Sequence, residues 1–287
     1  MPDLLGLPEQ LTGLDRCLVM GVLNVTPDSF SDGGRYDRPG SALAHAEQMV
    51  ADGADLVDVG GESTRPGAAR VPMGDELDRV LPVVRGLVRL GAVVSIDTMR
   101  SEVARAALDE GASIVNDISG GLADPGIAAV AAGAGVPFVA MHWRGHSTVM
   151  EDLTFYHDVV AEVVAHFEQR LDALEEAGLD RRQVILDPGF GFAKKPEHSW
   201  RLLACLDAML ALGRPLLVGT SRKRFLAAAV THSERRAMPV DRDPVTAATS
   251  ALAAAAGVWG VRVHDVAASA DAVRVAAILA AHRGGRV

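Results

Sequence analysis

A chain of 287 residues, 49% of them hydrophobic, can bury a large core, and a single α/β barrel of this length is as admissible as two smaller domains. Aromatic residues make up only 4%, so the core has to be Val, Leu, Ile and Ala, which suits a parallel sheet covered by helices. A net charge of −9 argues against generic binding to nucleic acid or to anionic membranes, and makes any cation in a pocket a local exception.

From the start of the chain, residues 1–16 lack the basic stretch and apolar core of a signal peptide. Val19-Met20-Gly21-Val22-Leu23 then has the look of a strand buried on both faces. It stops at Asn24 and opens into a polar loop containing Pro27, Asp28, Ser29, Ser31, Asp32, Gly33 and Gly34. A buried strand that ends on an amide and a polar loop is a typical binding-site position in α/β proteins, with a purely connective loop as the competing reading.

The arrangement repeats. Short apolar runs at 18–23, 56–59, 93–96, 113–115, 137–141, 184–186, 216–218 and 261–263 read as strands. Between them helical patterns lie at 41–51, 75–90, 101–110, 126–134, 158–177, 197–212 and 244–256, and 268–281 follows the last run. Gly53, Gly111, Gly178 and Gly257 sit where helix-ending glycines belong, and Ser101 with Glu102 and Asp124 with Pro125 resemble helix starts. Strand–helix alternation without a break in composition predicts a single (β/α)8 TIM barrel. The rival, a doubly wound open sheet, lacks a G-x-G-x-x-G turn after the first strand. The most apolar long stretch, 127–141, is interrupted by Gly133, Gly135 and Pro137 and is too short to span a bilayer. Cys17 and Cys205 offer neither a disulfide framework nor metal spacing and read as small buried hydrophobes in a reducing cytosol. A cytoplasmic protein with no membrane or nucleic-acid partner is expected.

In such a barrel the functional residues stand where strands end. Asn24, Gly60-Gly61-Glu62, Asp97, Asn116-Asp117, His142, Asp187, Ser221 to Lys223, and Arg262 with His264 all do so. Asp97, Asn116 and Asp187, from three strands, suit a planar heterocycle with several N–H donors along one edge. Bracing of nearby loops and a divalent-metal site are the alternatives. Arg262 is a candidate fork for phosphate oxygens, in the region where barrels commonly bind phosphate. Arg222 and Arg224 read equally as a solvated helix face or as substrate contacts. Phe30, alone in a polar loop, reads as a cap over a flat ligand or as packing at the loop base. His142 reads as a hydrogen-bonded wall residue, whereas His45, His157, His166, His198 and His232 look like helix-surface or loop residues without a role.

The stretches NVTPDSFSDGG from Asn24, GGESTRPG from Gly60, SIDT from Ser95, VND from Val115, LDPGFGFAK from Leu186, GTSRK from Gly219 and VRVHDV from Val261 together resemble the dihydropteroate synthases, pterin-binding barrel enzymes, and the actinobacterial members in particular. Only the first sixteen residues fall outside the resemblance, giving an extension at 1–16 and a pterin-binding barrel domain at 17–287. The resemblance implies joining of 6-hydroxymethyl-7,8-dihydropterin pyrophosphate to 4-aminobenzoate, with release of pyrophosphate, through a dissociative, carbocation-like path. It implies Asp97, Asn116, Asp187 and Lys223 around the pterin, with Met141 also against substrate. Thr64, Arg262 and His264 would engage pyrophosphate, and Asn24 would ligate Mg²⁺. Phe30, Asp32 and Arg65 would belong to two mobile loops, with Phe192 and Ser221 near the aminobenzoate. Asp97, Lys223, Arg262 and His264 carry the catalysis in this reading. The resemblance also implies a homodimer and a sulfonamide target. One departure is Arg224, where some relatives carry Ser. A corrinoid-dependent methyltransferase domain would share the acid–amide pocket but has no use for a pyrophosphate apparatus. A catalytically silent pterin-binding paralogue would show decay in the first loop or around Lys223, and both stretches are intact.

Overall fold

The computed structural model describes residues 3–26, 38–63, 70–146, 152–231 and 238–284. Its strands are β1 (Leu18–Asn24), β2 (Leu56–Gly60), β3 (Val94–Asp97), β4 (Ile114–Asp117), β5 (Phe138–Met141), β6 (Val184–Asp187), β7 (Leu217–Val218) and β8 (Gly260–Val263). They pair in parallel in the order β6-β5-β4-β3-β2-β1-β8-β7. A parallel bridge from Leu186 to Leu216, with Leu186 N–H donating to Pro215 O at 2.9 Å, joins the remaining two edges. The sheet is thus the wall of a (β/α)8 barrel, as the alternation predicts. Several strands run to the polar residue that marked their ends: β1 closes on Asn24, β3 on Asp97 and β6 on Asp187. The site residues therefore stand on the sheet itself, held by its ladder.

The helices α1 (Arg38–Ala51), α2 (Met73–Arg89), α3 (Ser101–Asp109), α4 (Gly126–Ala134), α5 (Val159–Glu176), α6 (Pro196–Ala204), α7 (Leu206–Leu210), α8 (Asp243–Ala255) and α9 (Val266–Gly284) surround it. Gly53, Gly111, Gly178 and Gly257 all have positive φ, as helix-ending glycines require. Asp124 serves two helices, accepting from Ser101 N–H at 2.7 Å and from Gly126 N–H at 2.9 Å. The single helix expected over 197–212 is two, with a break at Cys205, whose ψ of 40° is not helical. Cys17 is buried at the foot of β1, while Cys205 is half-buried. No helix among the described residues is long and apolar enough to cross a membrane.

Side chains alternate across each strand, so the barrel has an outer and an inner set. Val57, Val59, Val94, Ile96, Val115 and Leu186 face the helices in one large cluster. Leu18, Met20, Leu56, Ile114, Ile185 and Leu217 fill the lower interior as a second cluster. One step of two residues further along, the inward positions become Asp58, Asn116, Asp187 and Gly219. The core therefore changes from aliphatic to ionic within a single layer.

The first residues close the lower end. Leu4, Leu7 and Leu14 pack on the inner cluster, and Leu11, in a short turn of 3₁₀ helix, is only 2% exposed there. Leu5 N–H donates to Arg182 O at 2.9 Å. Gly6 has φ of +78°, and a Cβ on it would lie 2.0 Å from Gly135 O, so only glycine lets the segment lie this close to the α4–β5 turn.

Candidate active site

At the upper end, β2, β3 and β8 bring together an ion cluster. Arg262 donates from Nε to Asp58 Oδ2 at 2.6 Å and from Nη2 to Asp97 Oδ2 at 2.7 Å. Asn116, on β4, donates from Nδ2 to the same Asp58 oxygen at 2.9 Å. The guanidinium edge that would fork onto a phosphate is therefore occupied by carboxylates, and only Nη1 has no hydrogen bond among the described residues. Asp58 is fully buried, and its Oδ1 has no hydrogen-bond partner among the described residues. Sequence reasoning assigned Asp58 no role because it lies inside an apolar run. The signal was there, since an acid within Leu-Val-Asp-Val-Gly has to find a cation or a donor when the strand is buried.

Asp187, at the end of β6, accepts Gly189 N–H on Oδ1 at 2.8 Å. A Cβ at Gly219 would lie 3.9 Å from both Asp187 Oδ2 and Lys223 Nζ, so a larger residue there would enter the space between the carboxylate and the ammonium. Lys223 Nζ also lies 4.6 Å from the centroid of the Phe192 ring, within cation–π range. Met141, Met99 and Ile118 make a small buried apolar cluster, with Trp143 and Phe192 packed on it. One side of the mouth is thus ionic and the other apolar, which matches an amphipathic aromatic ligand.

Burial sets the titration of these groups. It pushes the Asp97 carboxyl up to about 7; Arg262 pulls it down, and neighbouring Asp58 pushes it further up. Burial also opposes the charge on Arg262, but Asp58 and Asp97 outweigh it and hold the guanidinium charged. Arg262 thus faces two buried carboxylates, Asp58 and Asp97, with one guanidinium charge between them. Burial raises the Asp187 carboxyl as well, against the pull of Lys223. It lowers Lys223 to about 8, against the pull of Asp187. A ligand that donates N–H bonds to these acids stabilises their charged forms.

On the rim, Ser221 Oγ and His264 Nδ1 are 2.9 Å apart, and His264 N–H donates to the same Oγ at 3.1 Å. Arg222 is neither a free helix face nor aimed at the pocket. It adopts φ of +58°, and its guanidinium grips Asp243 at 2.8 and 2.7 Å, locking the loop after β7 to the start of α8. Arg224 is exposed at the start of a 3₁₀ turn. His142 is a buried wall residue, bonded through Nδ1 to Lys194 Nζ at 2.9 Å. His166 is not on a helix surface: its ring meets His142 edge-on at 4.6 Å, and burial lowers its pKa to about 4.

Phe30, Asp32, Thr64 and Arg65 lie outside the described residues. The chain on either side of 64–69 is tied to one arginine. Arg100 pairs with Glu76 and lies 3.5 Å from Glu62, and it donates to Val71 O at 2.6 Å, while Arg70 reaches Glu62 at 3.2 Å. Asn24 ends β1 half-buried, and its side-chain amide makes no hydrogen bond among the described residues. Among those residues no three His, Cys, Asp or Glu side chains gather to hold a metal. A single free amide oxygen fits Mg²⁺ in the usual nucleotide-like manner, with substrate phosphate oxygens and water supplying the other ligands.

A parallel barrel with acids, an amide and two cations at the carboxyl ends of its strands defines an enzyme for a planar, nitrogen-rich ligand. Over residues 20–264 the chain matches the family of pterin binding enzymes. It is 53% identical to the dihydropteroate synthase of Mycobacterium leprae over 259 residues, 90% of this chain and 91% of that protein. The structure of Xanthomonas albilineans dihydropteroate synthase with 4-aminobenzoic acid superposes with a TM-score of 0.86 at 44% identity, covering 95% of each chain. The same enzyme with 7,8-dihydropteroate gives 0.83 at 41% identity, again over 95% of each chain. The chain belongs to the dihydropteroate synthases, within the pterin-binding enzymes.

Proposed function

We propose that this chain condenses 6-hydroxymethyl-7,8-dihydropterin pyrophosphate with 4-aminobenzoate to give 7,8-dihydropteroate and pyrophosphate. The observation that carries the reading is the convergence of Asp58, Asp97, Asn116 and Asp187 with Arg262 and Lys223 at one end of the barrel. Asp97, Asn116 and Asp187 take the N–H edge of the pterin, and Lys223 donates to its acceptor side. As the CH₂–O bond breaks, its electron pair leaves with pyrophosphate and positive charge develops on the methylene. The buried carboxylates of Asp97 and Asp187 favour that charge, whereas Arg262 through Nη1 and His264 favour the departing anion. The aminobenzoate nitrogen then bonds to the methylene carbon and its extra proton leaves to water or pyrophosphate. No side-chain nucleophile is needed. Asn24 would hold Mg²⁺, which when bound would supply charge neutralisation for the pyrophosphate.

In the same reading Thr64 meets pyrophosphate, and Phe30, Asp32 and Arg65 complete the site. Met141, Phe192 and Ser221 line the aminobenzoate side. Aminobenzoate binds second, so its dissociation constant with saturating pyrophosphate and Mg²⁺ is smaller than without them. The protein works in the cytoplasm as a homodimer, which sulfonamides inhibit by competing with aminobenzoate. Support for the dimer comes from Leu252 on α8 and from Val275, Ile278 and Leu279 on α9, each more than half exposed. A groove of about 410 Å³ lined by Trp200, Leu203 and Leu252 lies on the same side as Leu252. The deciding experiment measures pyrophosphate release with both substrates and with each omitted in turn. Release only with both is expected. Pterin binding without release would make the chain a silent paralogue instead.

A further inference from the structure

The loop after β6 has no ladder of its own. Gly189, Gly191 and Ala193 alternate at positive φ, at 65°, 73° and 46°, and the loop's own tie is Phe192 N–H donating to Gly189 O at 3.0 Å. Lys194 adds a further set of ties. Its Nζ lies 3.1 Å from Gly189 O, 3.1 Å from Phe192 O and 2.9 Å from His142 Nδ1. Burial lowers the Lys194 pKa well below its ordinary value. In either protonation state its N–H bonds serve the two carbonyls; toward His142 Nδ1 an ammonium donates and a neutral amine accepts. Lys194 is 7% exposed and touches none of the groups assigned to substrate except through this loop. The loop in turn meets Lys223 twice. A Cβ at Gly191 would lie 3.3 Å from Lys223 Cδ, and the Phe192 ring sits 4.6 Å from Lys223 Nζ. Gly189 cannot be replaced without moving this seat, because a Cβ there would lie 2.7 Å from His142 O.

We propose that Lys194 is a positioning residue that clamps the loop after β6 onto His142, and thereby holds Phe192 against Lys223 and shapes the aminobenzoate side of the site. The proposal rests on the function given above. A buried lysine that merely filled space would be replaceable by methionine, which has similar length and no donors. The clamp predicts a selective loss. Lys194→Met raises KM for 4-aminobenzoate about tenfold while KM for the pterin pyrophosphate stays within about twofold. Phe192→Ala gives the same pattern, and the double variant is no worse than the worse single one, because both act through one contact. Equal rises in the two KM values, or additive losses, overturn the proposal. His142→Ala removes one of the three partners of Lys194 Nζ and gives the same selectivity at about threefold, which keeps the test decisive if Lys194→Met does not fold. A second measurement is independent of turnover. With the Phe192 ring 4.6 Å from Nζ, the ε-methylene protons of Lys223 should be shifted upfield in the NMR spectrum, and Lys194→Met and Phe192→Ala should both abolish that shift. An unchanged shift in a folded Lys194→Met protein overturns the clamp. An inactive wild-type protein that shows the shift and its loss overturns the function alone.

Discussion

The two ends of the barrel interior are built by the same strands and differ in almost everything else. Below, Leu18, Met20, Leu56, Ile114, Ile185 and Leu217 form an aliphatic plug, sealed by Leu4, Leu7, Leu11 and Leu14. Above, the next inward positions carry Asp58, Asn116, Asp187 and Arg262, and burial works against the charges on Asp187 and Arg262. The lower end stabilises the fold by removing apolar surface from water. The upper end holds an excess of buried acid that favours the fold least when no ligand is present. Stability and recognition are thus separated along one axis, about one pleat apart.

The largest effect that can break this division is at Asp187. Asp187→Asn sets an amide donor against the N–H edge of the pterin, and binding should weaken by on the order of 2–5 kcal/mol while the melting temperature changes little. Calorimetric titration of the pterin substrate reads it, and near-normal affinity in the folded variant would remove Asp187 from the site. The mirror experiment is Leu11→Ala. It should lower stability by roughly 2–4 kcal/mol in urea unfolding while leaving pterin affinity unchanged, since the cavity opens at the sealed end. Loss of affinity in that variant would show that the two ends are coupled.

A smaller effect sharpens the comparison through pH. Burial pushes the Asp97 carboxyl up to about 7 in the folded chain, from an ordinary 3.8. Between those values the unfolded chain releases the Asp97 proton and the folded chain keeps it, so the contribution of Asp97 to stability falls as pH rises from the lower to the higher. Asp97→Asn lacks that fall. The unliganded variant should be more stable than wild type by about 1–2 kcal/mol at pH 8, and the difference should vanish near pH 4. An advantage of the same size at both ends of that range would mean that Asp97 is ionised throughout.

What could be read from the chain follows from locality. Runs of Val, Leu and Ile between helical patterns gave up the barrel because each strand is buried on both faces, and strand-end acids stood out because the apolar run stops at them. Asp58 was not separable in this way, since it lies one pleat inside its strand and its partner Arg262 lies on β8. Lys194 was hidden for a similar reason: its three hydrogen-bond partners come from its own loop and from β5's end, a convergence set by backbone angles at Gly189, Gly191 and Ala193. The break at Cys205 left no local trace either, because the 197–212 stretch keeps its apolar period through it. Residues 4–14 show leucines at helix-like spacing, yet they are shaped by docking to the barrel floor and contain only a short 3₁₀ turn.

That floor has a consequence for how the molecule assembles. The leucines at 4, 7, 11 and 14 are synthesised before any strand, but the surface that covers them includes Trp259 at the foot of the last one. Their docking is a closure between distant parts of the chain, the kind of contact that loop entropy delays most. Until β8 is in place, four leucines near the start of the chain stay uncovered, available to a chaperone or a protease. Occupancy of the barrel floor therefore reports, at one end of the polypeptide, whether the other end has folded.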